Sequence, residues 1–172
     1  MTALSKMRLA GVGLALALFV IDQWFKNYVL HTLKLRQVGA IEILPFFDLR
    51  YTENYGVSLG MLTAETPEMR YLLIAMTGGI AVIVLIWMLR EKTWPDILGL
   101  AMVLGGALGN IRDRWIYGYV VDYADLHIGE FRPFLIFNIA DAAITIGVLI
   151  ILARALLVRE KQEEPASPAT ET

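Results

Sequence analysis

Four apolar stretches, at 9–28, 70–89, 95–112 and 138–158, constrain this chain more than any other feature. Each is about as long as a helix must be to cross about 30 Å of hydrocarbon at 1.5 Å per residue. Composition agrees: 57% of the residues are hydrophobic, and the mean hydropathy of +0.57 exceeds that of an ordinary soluble domain. At 172 residues the chain is the length of one domain. We expect a single four-helix transmembrane domain over 1–158, followed by a disordered cytoplasmic tail over 159–172. The net charge of −2 excludes a basic nucleic-acid footprint. With no cysteine there is no disulfide, thiolate nucleophile or cysteine metal site. The two histidines, His31 and His127, lie far apart in sequence, so neither a metal nor another cofactor is expected.

The start has the look of a cleaved leader, with Lys6 and Arg8 before an apolar run. Its Ala15-x-Ala17 falls inside that run, however, and apolar character resumes at Trp24 and Phe25, so a spanning helix is the better reading. Between the first two spans, Phe47, Leu49 and Tyr51 alternate with Asp48, Arg50 and Thr52, the pattern of a strand with one apolar face. Asn54-Tyr55-Gly56 supplies a turn, and 57–62 would return as a second strand, making a small extracytoplasmic β element at 40–62. Thr66 and Pro67 mark a helix start. Gly105 and Gly109 form a small-xxx-small face for close helix packing. Four spans leave both termini on one side. The density of Lys and Arg in the short segments there favours the cytoplasm.

With that topology, polar residues from separated regions gather at the opposite membrane edge. Asp22 and Lys26 close the first span, Asn110 and Arg114 the third, and Asn138 and Asp141 open the fourth. Asn54, Gly56 and Asp122 lie in the connecting segments on the same side. Ionisable groups near hydrocarbon are costly and mark function by default. Plainer roles exist for most of them. Asn138 and Asp141 fit a helix N-cap with its acid, Asp22 and Lys26 an intrahelical ion pair, Arg114 an anchor to lipid phosphate, and Gly56 a need for backbone freedom. Asp125 and Glu130 read as solvated loop charges. Asp122 follows Val120-Val121 with no basic neighbour in sequence and is the least easily dismissed. Two aspartates held close at low dielectric cannot both ionise easily. The ionised one then takes a proton from water while the neutral one hydrogen-bonds a carbonyl, which is peptide hydrolysis without metal. Rival readings are a proton-coupled transporter, with Asp22, Asp122 and Asp141 as a relay, and a non-catalytic membrane scaffold.

Five motifs occur in order at the span boundaries: Asp22-Gln23-x-x-Lys26, Asn54-x-Gly56, Gly105-Gly106-Ala107-Leu108-Gly109-Asn110-x-x-Asp113-Arg114, Val120-Val121-Asp122-Tyr123 and Phe137-Asn138-Ile139-Ala140-Asp141. On these the chain resembles the lipoprotein signal peptidase (bacterial signal peptidase II) family of four-span aspartic proteases, nearly to the tail. The resemblance implies an all-α membrane fold of four transmembrane helices with the small β element between spans one and two. It implies Asp122 and Asp141 as the catalytic pair. Asn110, Arg114 and Asn138 would position substrate and orient the pair, Asn54 and Gly56 would belong to an outer cradle, and Asp22 and Lys26 would support the site. The substrate would be a prolipoprotein whose cysteine carries a diacylglyceryl group, cleaved just before that cysteine. The enzyme would be a cofactor-free monomer among the lipids of the bacterial inner membrane, with no nucleic-acid partner, both termini cytoplasmic and its site near the extracytoplasmic face. Two positions depart from the family pattern: Leu59 stands where an aromatic residue is usual, and Arg112 where an apolar one is.

Overall fold

The computed structural model describes residues 2–56 and 66–163. Helix α1 (Ala3–Asn27) begins at Thr2, whose hydroxyl accepts from the Ser5 amide at 3.2 Å. It continues through one wider π turn, Tyr28–Thr32, into a short helix α2 (Leu35–Val38). A hairpin of β1 (Ala40–Leu44) and β2 (Phe47–Asn54) follows. Helix α3 (Pro67–Arg90) starts on the Thr66 cap expected from sequence, and α4 (Trp94–Ile116) follows after a short joint. Strand β3 (Val120–Leu126) then leads to α5 (Ile139–Glu163). All four long helices are long and apolar enough to cross a membrane. The molecule is therefore the mostly helical four-span architecture expected, carrying a three-stranded antiparallel sheet in the order β1-β2-β3.

The sheet is assembled differently from the hairpin expected over 40–62. The partners of β2 are β1 and, far along the chain, β3, with Thr52 opposite Asp122 and Asn54 opposite Val120. The return strand anticipated at 57–62 lies outside the described residues, as does Leu59. The outer edge of β3 is closed by Phe137, which exchanges backbone hydrogen bonds with Ala124 at 2.7 and 3.1 Å. Asp125, expected to be a solvated loop charge, is completely buried on β3. Its carboxylate accepts from Arg50 Nε at 2.9 Å and Arg132 Nε at 3.1 Å, cations that sequence distance had hidden. At the other end of the chain α5 continues to Glu163, so 159–163 is helical rather than disordered; 164–172 lies outside the described residues.

Helix α4 is the centre of the bundle and packs against α1, α3 and α5. Lipid tails supply no hydrophobic drive between helices, so tight packing of small residues must do the work. A Cβ at Gly105 would stand 2.6 Å from the Ala15 carbonyl oxygen of α1, and one at Gly106 would run into the Ala140 carbonyl and Ile144 of α5. Glycine at these two adjacent positions lets α4 touch a different helix on each side. Gly78 and Gly79 of α3, by contrast, face open space. Gly106→Val should therefore lower thermal stability in detergent by about 1–3 kcal/mol, whereas Gly78→Ala should be neutral or stabilising by roughly 0.5–1 kcal/mol. Unfolding of the two variants side by side checks the contrast.

Candidate active site

The first turn of α5 explains why its polar residues stand where they do. Asn138 is the N-cap: its Oδ1 accepts from the Asp141 amide at 2.9 Å, and Asp141 Oδ2 accepts in return from the Asn138 amide at 3.3 Å. That reciprocal pair is a capping box with an acid at its third position. The two amides between them are met from elsewhere. Ile139 N donates to the Tyr123 hydroxyl at 3.2 Å, and Ala140 N to Asp22 Oδ1 at 3.1 Å. Each exposed donor at this helix end thus has an acceptor. Asp141 is fixed in direction by the cap itself.

Strand β3 brings Asp122 to the same place. Asn138 Nδ2 donates to Asp122 Oδ1 at 2.6 Å, so one asparagine holds both aspartates, one by its side-chain amide and one by its backbone and cap. The second oxygen of each carboxylate also has an amide donor: Asn54 Nδ2 to Asp122 Oδ2 at 3.0 Å, and Asn110 Nδ2 to Asp141 Oδ1 at 2.7 Å. Gly56 N donates to Asn54 Oδ1 at 3.1 Å, which turns the Asn54 amide so that its nitrogen faces Asp122. Gly56 thus acts through its backbone polar groups, because its carbonyl also accepts from Arg114 Nη2 at 2.8 Å. Arg114 is only 7% exposed and is bound into the protein rather than reaching for lipid phosphate. Asp122 is 1% exposed. Burial pushes its carboxyl up to about 7, and the charge of Asp141 adds to the rise, against the lowering effect of the Asn54 and Asn138 hydrogen bonds and of Lys26. Asp141 is less deeply buried and lies at the positive end of α5.

Behind the aspartates sits a buried ion cluster. Lys26 Nζ lies 2.9 Å from Asp22 Oδ2, the pair anticipated from their spacing, and 2.8 Å from Asp113 Oδ2. It also donates to Asn110 Oδ1 at 3.3 Å. Gln23 Nε2 donates to Asp22 Oδ2, Gly109 O and Asp113 Oδ1 at 3.0–3.2 Å. Asp113 Oδ2 further accepts from the Val121 amide at 3.2 Å, tying α4 to the strand that carries Asp122. Space for the cluster comes from Gly109, where a Cβ would stand 2.5 Å from Asp22 Oδ2. Asp113, Gln23 and Tyr123 were not among the residues expected to serve the site. Only the shared motifs with Asn110, Lys26 and Asp122 pointed toward them. Among the described residues no group of three or more His, Asp and Glu side chains is placed to share a metal ion. Lys26→Met should leave two uncompensated buried carboxylates and cost about 3–5 kcal/mol. Asp22→Asn, which keeps an acceptor for Ala140 N, should cost less. Calorimetric or light-scattering unfolding in detergent checks the order.

With this geometry in place, known proteins resemble the chain over nearly all of it. The family model for signal peptidase (SPase) II matches residues 14–157. The lipoprotein signal peptidase of Rhizorhabdus wittichii is 52% identical over 92% of this chain and 92% of its own length. That of Sphingopyxis alaskensis is 53% identical over 88% of this chain and 87% of its own. Two bacterial membrane enzyme structures, solved by the in meso method at 2.3 and 1.9 Å resolution, superpose with TM-scores of 0.78 and 0.72 at 26% and 28% identity. They cover 92% and 86% of this chain and 94% and 92% of theirs. Matched from its first helix to its last by the family model, with relatives more than half identical, the chain belongs to the signal peptidase II family.

Proposed function

We propose that the protein is an aspartic endopeptidase that removes the signal peptide from diacylglyceryl-modified prolipoproteins, cleaving just before the lipidated cysteine. The observation that carries this reading is the pair Asp122 and Asp141, joined through Asn138 at the boundary of the spans. Family membership supports the substrate class, since the curated relatives are lipoprotein signal peptidases. The rival proton relay finds little support. Helix α3 offers Thr77 as its one polar side chain between Tyr71 and Leu89, and that hydroxyl is spent on the Leu73 carbonyl at 2.7 Å.

In the proposed reaction Asp122 holds the shared proton, being the deeper carboxyl with the raised value, and Asp141 serves as the base. A water between them gives a proton to Asp141 as its oxygen attacks the peptide carbonyl carbon. Asp122 donates its proton to the carbonyl oxygen, so the intermediate forms as a neutral diol. Collapse returns a diol proton to Asp122, breaks the C–N bond and passes the proton on Asp141 to the leaving nitrogen. Water is consumed, and both carboxyls end as they began. The enzyme works as a multi-pass protein of the bacterial inner membrane. Both termini are cytoplasmic, and the sheet lies on the extracytoplasmic side, where secreted precursors present their cleavage point.

Asp122→Asn and Asp141→Asn should each reduce cleavage by about 10²–10⁴-fold while leaving a folded protein. A gel-shift assay on prolipoprotein with and without the diacylglyceryl group reads this directly. Retention of near-full activity by either variant overturns the dyad, and equal cleavage of unlipidated precursor overturns the substrate. The rate should fall as pH rises through about 7, because the proton on Asp122 is then lost. Stability follows the same group. Its value of about 7 in the folded chain lies above the ordinary 3.8, so the stabilisation from this proton is complete below pH 3.8 and lost as pH rises to about 7. Melting temperatures across that range should fall for the wild type and stay flatter for Asp122→Asn.

A further inference from the structure

We infer that a groove between α1 and α4, on the far side of α4 from the aspartates, is a binding site for an anionic phospholipid. Leu16 and Phe19 of α1 and Leu108, Ile111, Arg112 and Trp115 of α4 line a shallow, open groove of about 340 Å³ there. The groove has a structural cause. Close approach of the backbones at Ala15 and Gly105 brings the helices together, and the larger side chains on either side stand apart as walls. On α4 the wall residues recur at 108, 111, 112 and 115, one stripe of a helix. Asn110 and Arg114, which serve the aspartates, occupy another face, since Arg112 lies roughly 200° round the helix from Asn110. A lipid in the groove is therefore not the chain presented for cleavage.

Arg112 gives the groove its chemistry. It is exposed on a lipid-facing helix surface otherwise made of Leu, Ile and Trp. Its position is one helical turn, roughly 6 Å, before the end of α4 at Ile116. With about 30 Å of hydrocarbon spanned by the 23 residues of α4, that position falls near the headgroup boundary. Trp115 (63% exposed), Tyr71 (51%) and Trp24 (64%) ring the bundle near the same level, as interfacial aromatics do. One guanidinium nitrogen, Nη1, donates to Gln23 Oε1 of α1, which holds the group between the two helices that form the groove. The two acids near it in the fold, Asp22 and Asp113, are buried and engaged by Lys26 and Gln23. The Arg112 charge thus faces outward with no acid in this set to pair it. A phosphodiester with a net negative charge fits that cation, and an acyl chain fits the apolar trough below it.

The test uses the purified full-length chain in detergent, titrated with phosphatidylglycerol, with phosphatidylcholine or with inorganic phosphate. Native mass spectrometry and thermal unfolding are the readouts. Phosphatidylglycerol should be retained as a discrete adduct and raise the melting temperature more than phosphatidylcholine does, while phosphate alone should do neither. Arg112→Gln should weaken phosphatidylglycerol binding by about five-fold and erase its advantage over phosphatidylcholine. Leu16→Trp, which fills the trough without touching Arg112, should weaken both lipids. Equal binding of the two lipids by the wild type, or an undiminished preference in Arg112→Gln, overturns the proposal. A shift with inorganic phosphate alone replaces it with a simple anion site.

Discussion

A single ammonium, Lys26 Nζ, lies between two carboxylates with almost no solvent at any of the three groups. Taking such charges out of water costs several kcal/mol per ion, repaid only if every lone pair and proton is met. Here the requirement is met from four elements at once. Asp22 and Gln23 come from α1, Asp113 and the Gly109 carbonyl from α4, the Val121 amide from β3 and the Ala140 amide from α5. None of these elements can shift without exposing an unpaired charge to a low-dielectric surrounding. The cluster is therefore less a source of net stability than a constraint on geometry, one that Leu and Gly contacts between sliding helices would not impose.

The position of the aspartates follows from that constraint. Asp22 fixes where α5 begins by accepting from its second amide, that of Ala140, which lies between the cap partners Asn138 and Asp141. Asp113 fixes the height of β3 through the Val121 amide, and Asp122 is the next residue. Lys26 holds Asn110 by its Oδ1 and thereby presents its Nδ2 to Asp141. A site held within hydrogen-bond tolerance by rigid neighbours reacts without reorganising at the moment of reaction.

Some of this was legible in sequence and some was not, for separable physical reasons. The spans stand out because a bilayer imposes length and composition locally. The Asp22–Lys26 pair and the Asn138–Asp141 cap are helix-local patterns at spacings of four and three, so they too could be read. Asp113 could not, because its partner is 87 residues away across a helix crossing, and spacing carries no sign of that. Strand β3 escaped the period-two test because Val120 through Ala124 and Asp125 are buried in succession, which removes the apolar–polar alternation of a one-faced strand. Asp125 was misjudged for a different reason: its cations, Arg50 and Arg132, come from β2 and from a loop, and only pairing of β2 with β3 brings Arg50 near.

Both aspartates are held by neutral amides, from Asn54, Asn110 and Asn138, although Lys26 and Arg114 are close by. An amide donor fixes a carboxyl oxygen in direction while adding no net charge, so the mutual repulsion of the two carboxylates survives and one proton stays in the pair. A cation in direct contact would favour ionisation of both and remove the acid on which the proposed chemistry depends. The two cations are correspondingly occupied elsewhere: Lys26 on Asp22, Asp113 and the oxygen of Asn110, and Arg114 on the Gly56 carbonyl. Lys26 acts on Asp122 only at a distance, as the smallest of the influences on its carboxyl. The fold thus uses its charges to fix the frame and its asparagines to aim the two carboxyls on which the proposed reaction depends.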